Sequence, residues 1–331
     1  MIFPKISVIT PSFNQGTYLE ETIQSVLNQK YPNLEYIIID GGSTDNSVEI
    51  IKKYQDHLTY WISEKDSGQS EAINKGFEIA TGEIITWINS DDLLLADVLL
   101  KIASLFMECD ENIGVIHGGT IIFDNTHSIK EDHGYNNPTI ERYISGMSFA
   151  QPSAFIRKKY YDMIAPMNIL LDYGMDYDIF CKLSLVSEFK KIRDCLSKYR
   201  IHEMSKSSSQ NHLFINDWIN TFINVLNNFS QSYYIDILDT LQITKSNKFE
   251  KLTFKPIHSN INWDLAFYYF LTYVFRSDYM HSNFKRAKLL RNYLKSHYNN
   301  LMHNDSDLKL ISSRLRYFPE SMIRSYRKLN K

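Results

Sequence analysis

The sequence predicts an α/β fold, a mainly parallel β-sheet with helices on both faces, followed by a helical C-terminal region. Three observations predict it. Short apolar, β-branched runs alternate with segments of helical periodicity through the first 125 residues. The connections between these segments are short, which is typical of repeated βα units whose strands run parallel. Beyond about residue 211 helical patterns dominate.

The first strand is expected at residues 6–10, an apolar run that ends at Pro11. Leu19, Ile23 and Val26 then recur on one face of a helix, which Pro32 closes off. The same two patterns predict strands at 36–40, 58–63 and 83–88 and helices at 46–54, 69–80 and 96–107.

After residue 112 the pattern changes. Residues 113–116 and 120–123, separated by Gly118 and Gly119, are typical of a hairpin or a bent strand. Further strands are expected at 153–157 and 191–201, with a helix at about 174–187 between them.

The Ser- and Lys-rich stretch 205–210 is the predicted boundary, which divides the chain into residues 1–210 and 211–331. Helices are expected in the second part at 213–229, 261–276, 284–297 and 308–317. The aromatic segment 261–275 is too short to span a bilayer. It is expected to be a buried helix, with an interfacial membrane contact as the alternative.

Composition limits the class of protein. Hydrophobic residues make up 44% and charged residues 22% of the chain, which is typical of a globular protein. Neither a membrane-spanning helix nor a signal peptide is expected, so a cytoplasmic location is predicted. The three cysteines are odd in number and lack metal-type spacing, so neither a disulfide framework nor a structural zinc site is expected.

The net charge of −2 conceals an asymmetry. Residues 281–331 carry twelve Lys or Arg and three Asp or Glu, a net charge of +9. This basic end predicts contact with an anionic membrane surface or nucleic acid, and a solvated helix face is the alternative. Since no nucleic-acid-binding motif accompanies the charge, nucleic acid is not expected as a partner.

Polar residues follow the predicted strands where parallel sheets bind ligands, beyond the carboxyl ends. Asp40 ends one strand and precedes Gly41 and Gly42, which allow another group to approach closely. Its carboxylate could accept a nucleobase N–H or cap the following helix. Asp91 and Asp92 end another strand; paired carboxylates suit Mg²⁺ or Mn²⁺ shared with substrate phosphates, or else a helix N-cap.

Six segments together resemble family 2 glycosyltransferases, and more narrowly their bacterial polysaccharide-assembly branch. They occur in the family's order and spacing: VITPSFN (8–14), SVLNQ (25–29), DGGSTD (40–45), DSGQSEAINKG (66–76), ATG (80–82) and NSDD (89–92). The resemblance covers residues 5 to about 205. It implies a Rossmann-like GT-A fold and a nucleotide-diphospho-sugar donor.

The resemblance also implies roles for individual residues. Those that would bind the nucleotide are Thr10, Pro11, Ser12, Asp40, Gly41, Asp66, Asn74, Asn89 and Ser90. Asn89 occupies the first position of the family's Asp-x-Asp metal motif, where an Asp is usual. Asp91, with Asp92 beside it, would hold Mn²⁺ or Mg²⁺, and His202 would approach the metal and the diphosphate.

Direct displacement at a sugar carbon needs a base beside the acceptor hydroxyl. By resemblance this base is Asp176, where Met175 replaces the family's usual Glu. Asp172 and Asp178 are alternatives, and all three could simply place negative charge at a helix N-terminus. Gln151 and Asp172 would lie on the acceptor side.

The predicted activity is inverting, metal-dependent transfer of a sugar, from a UDP-sugar, to a saccharide or lipid-linked saccharide in bacterial capsule or O-antigen assembly. The basic C-terminal region would hold the enzyme on the inner face of the membrane. Two alternatives are a sugar nucleotidyltransferase and a non-catalytic nucleotide-sugar-binding protein. The first is disfavoured because residues 11–16 lack the basic residue its phosphate loop needs.

Overall fold

The computed structural model describes residues 3–124, 126–203, 205, 211–243 and 250–329. The chain forms two compact units. The first comprises Met1–Thr139, Met147–Gln210 and Thr253–Ser259; the second comprises Ile140–Gly146, Asn211–Leu252 and Asn260–Lys331. The predicted boundary stretch lies outside the described residues except for Ser205. Residues 140–146, which precede the predicted boundary in the sequence, belong to the second unit, and residues 253–259, which follow it, belong to the first.

A nine-stranded sheet forms the centre of the first unit, with strand order β3-β2-β1-β4-β8-β6-β9-β5 and with β7 paired to β6. Its strands are β1 Ile6–Ser12, β2 Leu34–Asp40, β3 Tyr60–Ser63, β4 Ile84–Trp87, β5 Leu93–Leu94, β6 Ile113–Phe123, β7 Ser128–Asp132, β8 Ala154–Arg157 and β9 Glu188–Arg200. Its helices are α1 Leu19–Leu27, α2 Ser47–Tyr54, α3 Gln69–Ile79, α4 Val98–Glu108, α6 Lys158–Ile164 and α7 Met175–Val186, with the short α5 Ile140–Tyr143 in the second unit.

The strands β3, β2, β1 and β4 run parallel, as the βα repeats predict. Their register places Ser12 beside Asp40, and Asp40 beside Ser63. Three polar strand ends therefore lie side by side at one edge of the sheet. The rest of the sheet is mixed, because β8 pairs antiparallel with both β4 and β6.

Of the hairpin and the bent strand expected at residues 113–123, the hairpin is wrong, and the segment is an irregular strand whose pairing with β9 shifts register at three points. These residues form the single long strand β6, and the chain turns back only after Phe123 to form β7. Gly118 and Gly119 lie inside the strand, where backbone and side-chain atoms of other segments occupy the space that a Cβ would need. A Cβ at Gly118 would lie 2.5 Å from the Asp194 carbonyl oxygen, and one at Gly119 would lie 2.5 Å from His133 Nδ1.

The core of the first unit lies between the sheet and its helices. It combines the strand residues Ile6, Val8 and Ile38 with the apolar faces of α1 and α4. Two strands were not predicted. β7 is mostly exposed and polar and so has no apolar pattern, and β5, although apolar, is only two residues long and too short for a periodic pattern.

The second unit is helical in its described part. Its longer helices are α8 Asn211–Asn228, α9 Ser232–Thr240, α10 Trp263–Met280, α11 Phe284–His297, α12 Asn299–His303, α13 Ser306–Tyr317 and α14 Glu320–Leu329. The aromatic segment lies in α10, where Phe267, Phe270 and Phe275 are fully or almost fully buried, in agreement with the buried-helix interpretation. No described helix is long and apolar enough to cross a membrane.

Candidate active site

Strand β1 brings Thr10, Pro11 and Ser12 to the polar edge of the sheet, and all three are buried. Thr10 Oγ1 lies 3.0 Å from Tyr36 Oη. In the part of the chain that the structure describes, the Ser12 hydroxyl has no hydrogen-bond partner. Leaving a buried hydroxyl unsatisfied costs about 1–3 kcal/mol. The Ser12 oxygen therefore marks a position that a bound ligand would stabilise.

The Asp40 carboxylate is fully buried at the end of β2. Its Oδ2 accepts hydrogen bonds from the backbone N–H groups of Gly42 and Ser43 at 3.2 and 2.8 Å and from Ser63 Oγ at 2.7 Å. Its Oδ1 accepts one from Ser43 Oγ at 2.6 Å. These bonds fix the loop after β2, but the alternative role as a helix cap is wrong, because α2 begins only at Ser47 with Asn46 as its N-cap. Since a carboxylate oxygen accepts about two hydrogen bonds, Oδ1 has capacity for one more, such as a nucleobase N–H.

Asp66 lies against Gly41, directly beyond β3. A Cβ at Gly41 would lie 2.8 Å from Asp66 Oδ2, so a larger residue would displace the carboxylate. Burial raises the pKa of Asp66, and the negative charges of Glu71 and Asp40 act in the same direction. The two strand-end carboxylates therefore share one electrostatic environment.

Asn89 forms hydrogen bonds with side chains from three separate segments at this edge of the sheet. Its Oδ1 accepts a hydrogen bond from Gln69 Nε2 at 2.8 Å, and its Nδ2 donates to Asp92 Oδ2 at 3.1 Å. Gln151, predicted on the acceptor side, donates to the Trp87 carbonyl oxygen at 2.9 Å and accepts a long hydrogen bond of 3.5 Å from Asn89. The amide at position 89 can donate as well as accept, which an Asp there could not. Ser90, the next residue, is buried.

Asp91 and His202 are 111 positions apart in the chain but adjacent in the fold. Asp91 Oδ2 lies 2.9 Å from His202 Nε2, and the imidazole packs on the Tyr18 ring with centroids 4.7 Å apart. The Asp91 side chain is 18% exposed and that of His202 7%. A carboxylate and an imidazole are both ligands of first-row divalent metals, so this pair fits a cation site.

The Asp92 side chain differs from that of Asp91 in its burial and its contacts. It is 1% exposed, and its oxygens accept hydrogen bonds from the Arg200 backbone N–H at 3.0 Å and from Asn89. Burial raises the pKa of Asp92 well above its usual range, and the Asp91 charge adds to this effect. These contacts favour a positioning role for Asp92 over the predicted role as a metal ligand.

Arg200 supports the acidic pair and was missed in the sequence. Its Nε donates to the Asp91 carbonyl oxygen at 2.9 Å, and the guanidinium pairs with Glu21. The guanidinium carbon lies 4.4 Å from the Phe123 ring centroid and 4.8 Å from that of Tyr18. Nothing in the sequence near Arg200 connects it to residues 91 and 92, so the contact could not have been predicted.

Helix α1 holds the same loop through polar side chains on its buried face. Thr22 Oγ1 donates to the Asp92 carbonyl oxygen at 2.9 Å, and Ser25 Oγ accepts from the Leu94 N–H at 3.1 Å. Gln29 donates to the Leu95 carbonyl oxygen at 2.7 Å. Polar residues at positions 22 and 25 of an apolar helix face, with Gln29 just beyond the end of the helix, are the signal that could have revealed this role.

Asp176 lies half-buried in the first turn of α7, where its Oδ1 accepts a hydrogen bond from the Tyr177 N–H at 2.7 Å. Two contacts bring this part of the chain to the same edge of the sheet. Ser70 Oγ, at the start of α3, donates to the Leu171 carbonyl oxygen at 3.4 Å, and Phe180 stacks on Trp87 with ring centroids 5.8 Å apart.

The two alternative carboxylates differ from Asp176 in their surroundings. Asp178 is buried and lies 2.8 Å from the Lys182 ammonium, both side chains being 7% exposed or less. Asp172 is exposed and precedes the helix. Asp178 is thus committed to a structural ion pair.

Asn74 holds the loop before α7. Its amide donates to the Met167 carbonyl oxygen at 2.9 Å and accepts from the Met167 N–H at 2.8 Å and from Tyr161 Oη at 3.1 Å. These contacts favour a role in fixing that loop over the predicted contact with the nucleotide.

Comparison with known proteins identifies the family of the chain. Residues 7–167 match the family described as Glycosyl transferase family 2. The chain is 30% identical over 215 residues to TuaG of Bacillus subtilis strain 168, a glycosyltransferase that its name assigns to teichuronic acid biosynthesis; the match covers 62% of this chain and 83% of TuaG. It is 28% identical over 218 residues to an uncharacterized glycosyltransferase of Rickettsia typhi, covering 62% of this chain and 67% of the relative. For a similar relative from Nostoc sp., the chain spans 65% of its length.

Solved structures share the fold. TarS 1–349 of S. aureus, in complex with UDP-GlcNAc, superposes with a TM-score of 0.60 at 16% identity, covering 98% of this chain and 92% of that one. The mannosyltransferase PcManGT of Pyrobaculum calidifontis, in complex with GDP-Man and Mn²⁺, gives 0.56 at 12% identity, covering 98% and 87%. With its GT-A architecture, its polar sheet edge and these relatives, the chain belongs to glycosyl transferase family 2 and is a glycosyltransferase.

Proposed function

We propose that this chain transfers a sugar from a UDP-sugar to a saccharide hydroxyl, with inversion at the sugar carbon and with the help of a divalent cation. One observation carries the proposal: the Asp91–His202 pair, 2.9 Å apart, lies at the sheet edge that also holds the strand-end residues Ser12 and Asp40. A carboxylate and an imidazole that suit a cation therefore lie at the same edge as polar groups that suit a nucleotide.

The base and ribose of the nucleotide would contact the ends of β1 and β2. The Ser12 hydroxyl lacks a partner among the described residues, and Asp40 Oδ1 can accept a further N–H. Uracil carries an N3–H group, so a hydrogen-bond-accepting carboxylate oxygen at this position suits it. The complex of TarS with UDP-GlcNAc supports a UDP-sugar donor on the same fold. Asp66 would line the pocket beside Gly41.

Asp91 and His202 would hold Mn²⁺ or Mg²⁺, since their oxygen and nitrogen donors fit such an ion and the Mn²⁺ complex of PcManGT supports a divalent cation on this fold. When bound, the cation would neutralise the diphosphate leaving group. Arg200 and Asp92 would keep Asp91 in position through the contacts on its backbone and its neighbours.

Asp176 would act as the base. Its carboxylate takes the proton of the acceptor hydroxyl while the acceptor oxygen bonds to the sugar carbon. The bond from that carbon to the diphosphate oxygen breaks on the opposite face, and UDP leaves with the electron pair. Attack opposite the leaving group inverts the configuration. Asp172, exposed before α7, and Gln151 would face the acceptor.

The acceptor that we propose is a saccharide or lipid-linked saccharide of a bacterial cell-surface polymer. The likeness to TuaG, with its teichuronic acid assignment, supports a cell-surface polymer, and we retain capsule or O-antigen as candidates. The +9 charge of residues 281–331 supports peripheral attachment to an anionic membrane leaflet.

A donor screen tests the proposal. The purified protein is titrated with UDP-, GDP- and dTDP-sugars with and without Mn²⁺, and nucleotide release is then measured by slow hydrolysis of the bound donor. We expect Mn²⁺-dependent binding of a UDP-sugar and release of UDP. Binding without any turnover would support the non-catalytic alternative. Formation of a nucleotide-sugar from a nucleoside triphosphate and a sugar 1-phosphate, with release of diphosphate, would support a nucleotidyltransferase.

A further inference from the structure

A second group of metal-ligating side chains lies on the sheet and uses none of the residues of the candidate active site. Glu131, His133 and Cys195 each offer one ligand atom, and these three atoms lie within 4.8 Å of one another. His133 Nε2 is 2.9 Å from Glu131 Oε2. An oxygen, a nitrogen and a sulfur donor therefore lie close enough together to be considered as ligands of one ion.

Three neighbouring strands bring these residues together. Cys195 lies on β9 opposite Gly119 of β6, and the next residue of β6, Thr120, pairs with Asp132 at the end of β7. Glu131 and His133 flank Asp132. The group thus spans β7, β6 and β9, although Cys195 lies more than sixty positions after His133.

Gly119 leaves room for the cluster. A Cβ at this position would lie 2.5 Å from His133 Nδ1 and 3.1 Å from Cys195 Sγ. At any other residue the side chain would collide with the imidazole, which would have to move. The close approach of His133 and Cys195 is therefore built into the strand below them.

The charges and the donor set both suit a cation. The carboxylates of Glu131, Asp194 and Asp132 interact electrostatically with Cys195, so negative charge accumulates near the thiol. A bound cation would offset that charge. A simple exposed His133–Glu131 ion pair would be worth at most about 1 kcal/mol and would need neither Cys195 nor Gly119. Thiolate, imidazole and carboxylate are the ligands that Zn²⁺ takes in proteins, at about 2.0–2.3 Å from the metal.

We propose that Glu131, His133 and Cys195 form a zinc site, with water as the fourth ligand. On binding, the Cys195 thiol releases its proton to solvent and the sulfur bonds to Zn²⁺, with no change of oxidation state. The His133–Glu131 separation widens from a hydrogen bond to about 3.3 Å, as two ligands of a tetrahedral site require. The metal would fasten the β6–β7 hairpin to β9. This inference does not rest on the proposed sugar transfer.

Cobalt substitution tests the site, because Co²⁺ bound to a thiolate gives a charge-transfer band that oxygen and nitrogen ligands alone do not. The reduced, full-length protein is titrated with Co²⁺ and then with Zn²⁺. We expect one equivalent of Co²⁺ to produce the band and Zn²⁺ to remove it. Absence of the band in the folded wild-type protein would overturn the proposal.

Variants identify the ligands. Even an outer hydrogen-bond partner of a metal ligand is worth about 10- to 100-fold in affinity, so Cys195→Ser and His133→Ala should weaken Co²⁺ binding by more than about 100-fold. Cys109→Ser and His127→Ala are the matched controls, and both should retain the band. A thermal melt with and without Zn²⁺ accompanies each variant: Zn²⁺ stabilisation that is smaller in a folded Cys195→Ser protein than in wild type supports the site, and any remainder would belong to the Asp91–His202 pair. A band that persists in Cys195→Ser, or equal Zn²⁺ stabilisation of all variants, would refute it.

Discussion

The three aspartates around the start of α7 should respond differently when each is replaced by asparagine. In Asp176→Asn the side-chain oxygen that accepts the Tyr177 N–H at 2.7 Å remains, so the helix start should be retained while the base is lost. A positioned general base is worth about 10²- to 10⁴-fold in rate. This corresponds to about 3–5 kcal/mol added to the activation barrier.

Asp178→Asn should instead destabilise the fold. Its carboxylate lies 2.8 Å from Lys182, and both side chains are almost fully buried. Removing one partner of such a pair leaves the other charge buried, at a cost of about 3–5 kcal/mol. Asp172→Asn, at an exposed position, is the control for stability and should leave the melting temperature unchanged.

The assay combines three measurements on each variant: hydrolysis of the bound UDP-sugar, UDP affinity by calorimetry and the melting temperature. In donor hydrolysis, water takes the place of the acceptor hydroxyl and needs the same base. Asp176→Asn should lose turnover while it keeps both UDP affinity and the melting temperature. Turnover within about threefold of wild type, far from the loss that a base predicts, would remove Asp176 from this role.

Three further predictions concern other parts of the first unit. Asp91→Asn should bind UDP more weakly than wild type in the presence of Mn²⁺ but equally well in EDTA. A variant that matches the wild-type affinity in both conditions would refute the metal assignment. Burial and the charge of Lys191 lower the pKa of His117 to about 3, so stability should fall as the pH drops below the unfolded value of about 6.5. Between pH 7 and pH 5, the free energy of unfolding of His117→Phe should therefore fall by about 2 kcal/mol less than that of wild type in urea titrations. Equal decreases in the two proteins would contradict this. Gly41→Ala should displace Asp66 and lower UDP affinity without reducing the Mn²⁺ dependence, as calorimetry would show, whereas unchanged affinity would separate Asp66 from the nucleotide pocket.

Much of the fold could be predicted because its signals are local. The apolar runs before Pro11 and Asp40 and after Gly82 are strands β1, β2 and β4, and the rule that ligands bind beyond parallel strand ends led to the polar edge. Buried strands of this kind carry nearly continuous apolar sequence, which periodicity detects.

The remaining features depend on contacts between distant residues. Gly118 and Gly119 have the sequence of a turn, but they lie inside β6 because β9 and His133 approach the strand there. The Arg200 contacts with residues 91 and 92 join positions more than a hundred apart. The resemblance placed His202 near the metal motif; the 2.9 Å distance to Asp91 emerges only from the fold.

The helix α7 and the strand β9 follow one another with Ser187 alone between them, so Asp176 and His202 stand at the two ends of one continuous helix–strand segment. Grafting residues 175–202 as a cassette into a relative would exchange both groups in a single step. An insertion within β9 would shift the pairing with β6 and move His202 without moving Asp176. The proposed base and the proposed metal ligand could therefore be inherited together through recombination, yet be displaced relative to one another by one added residue.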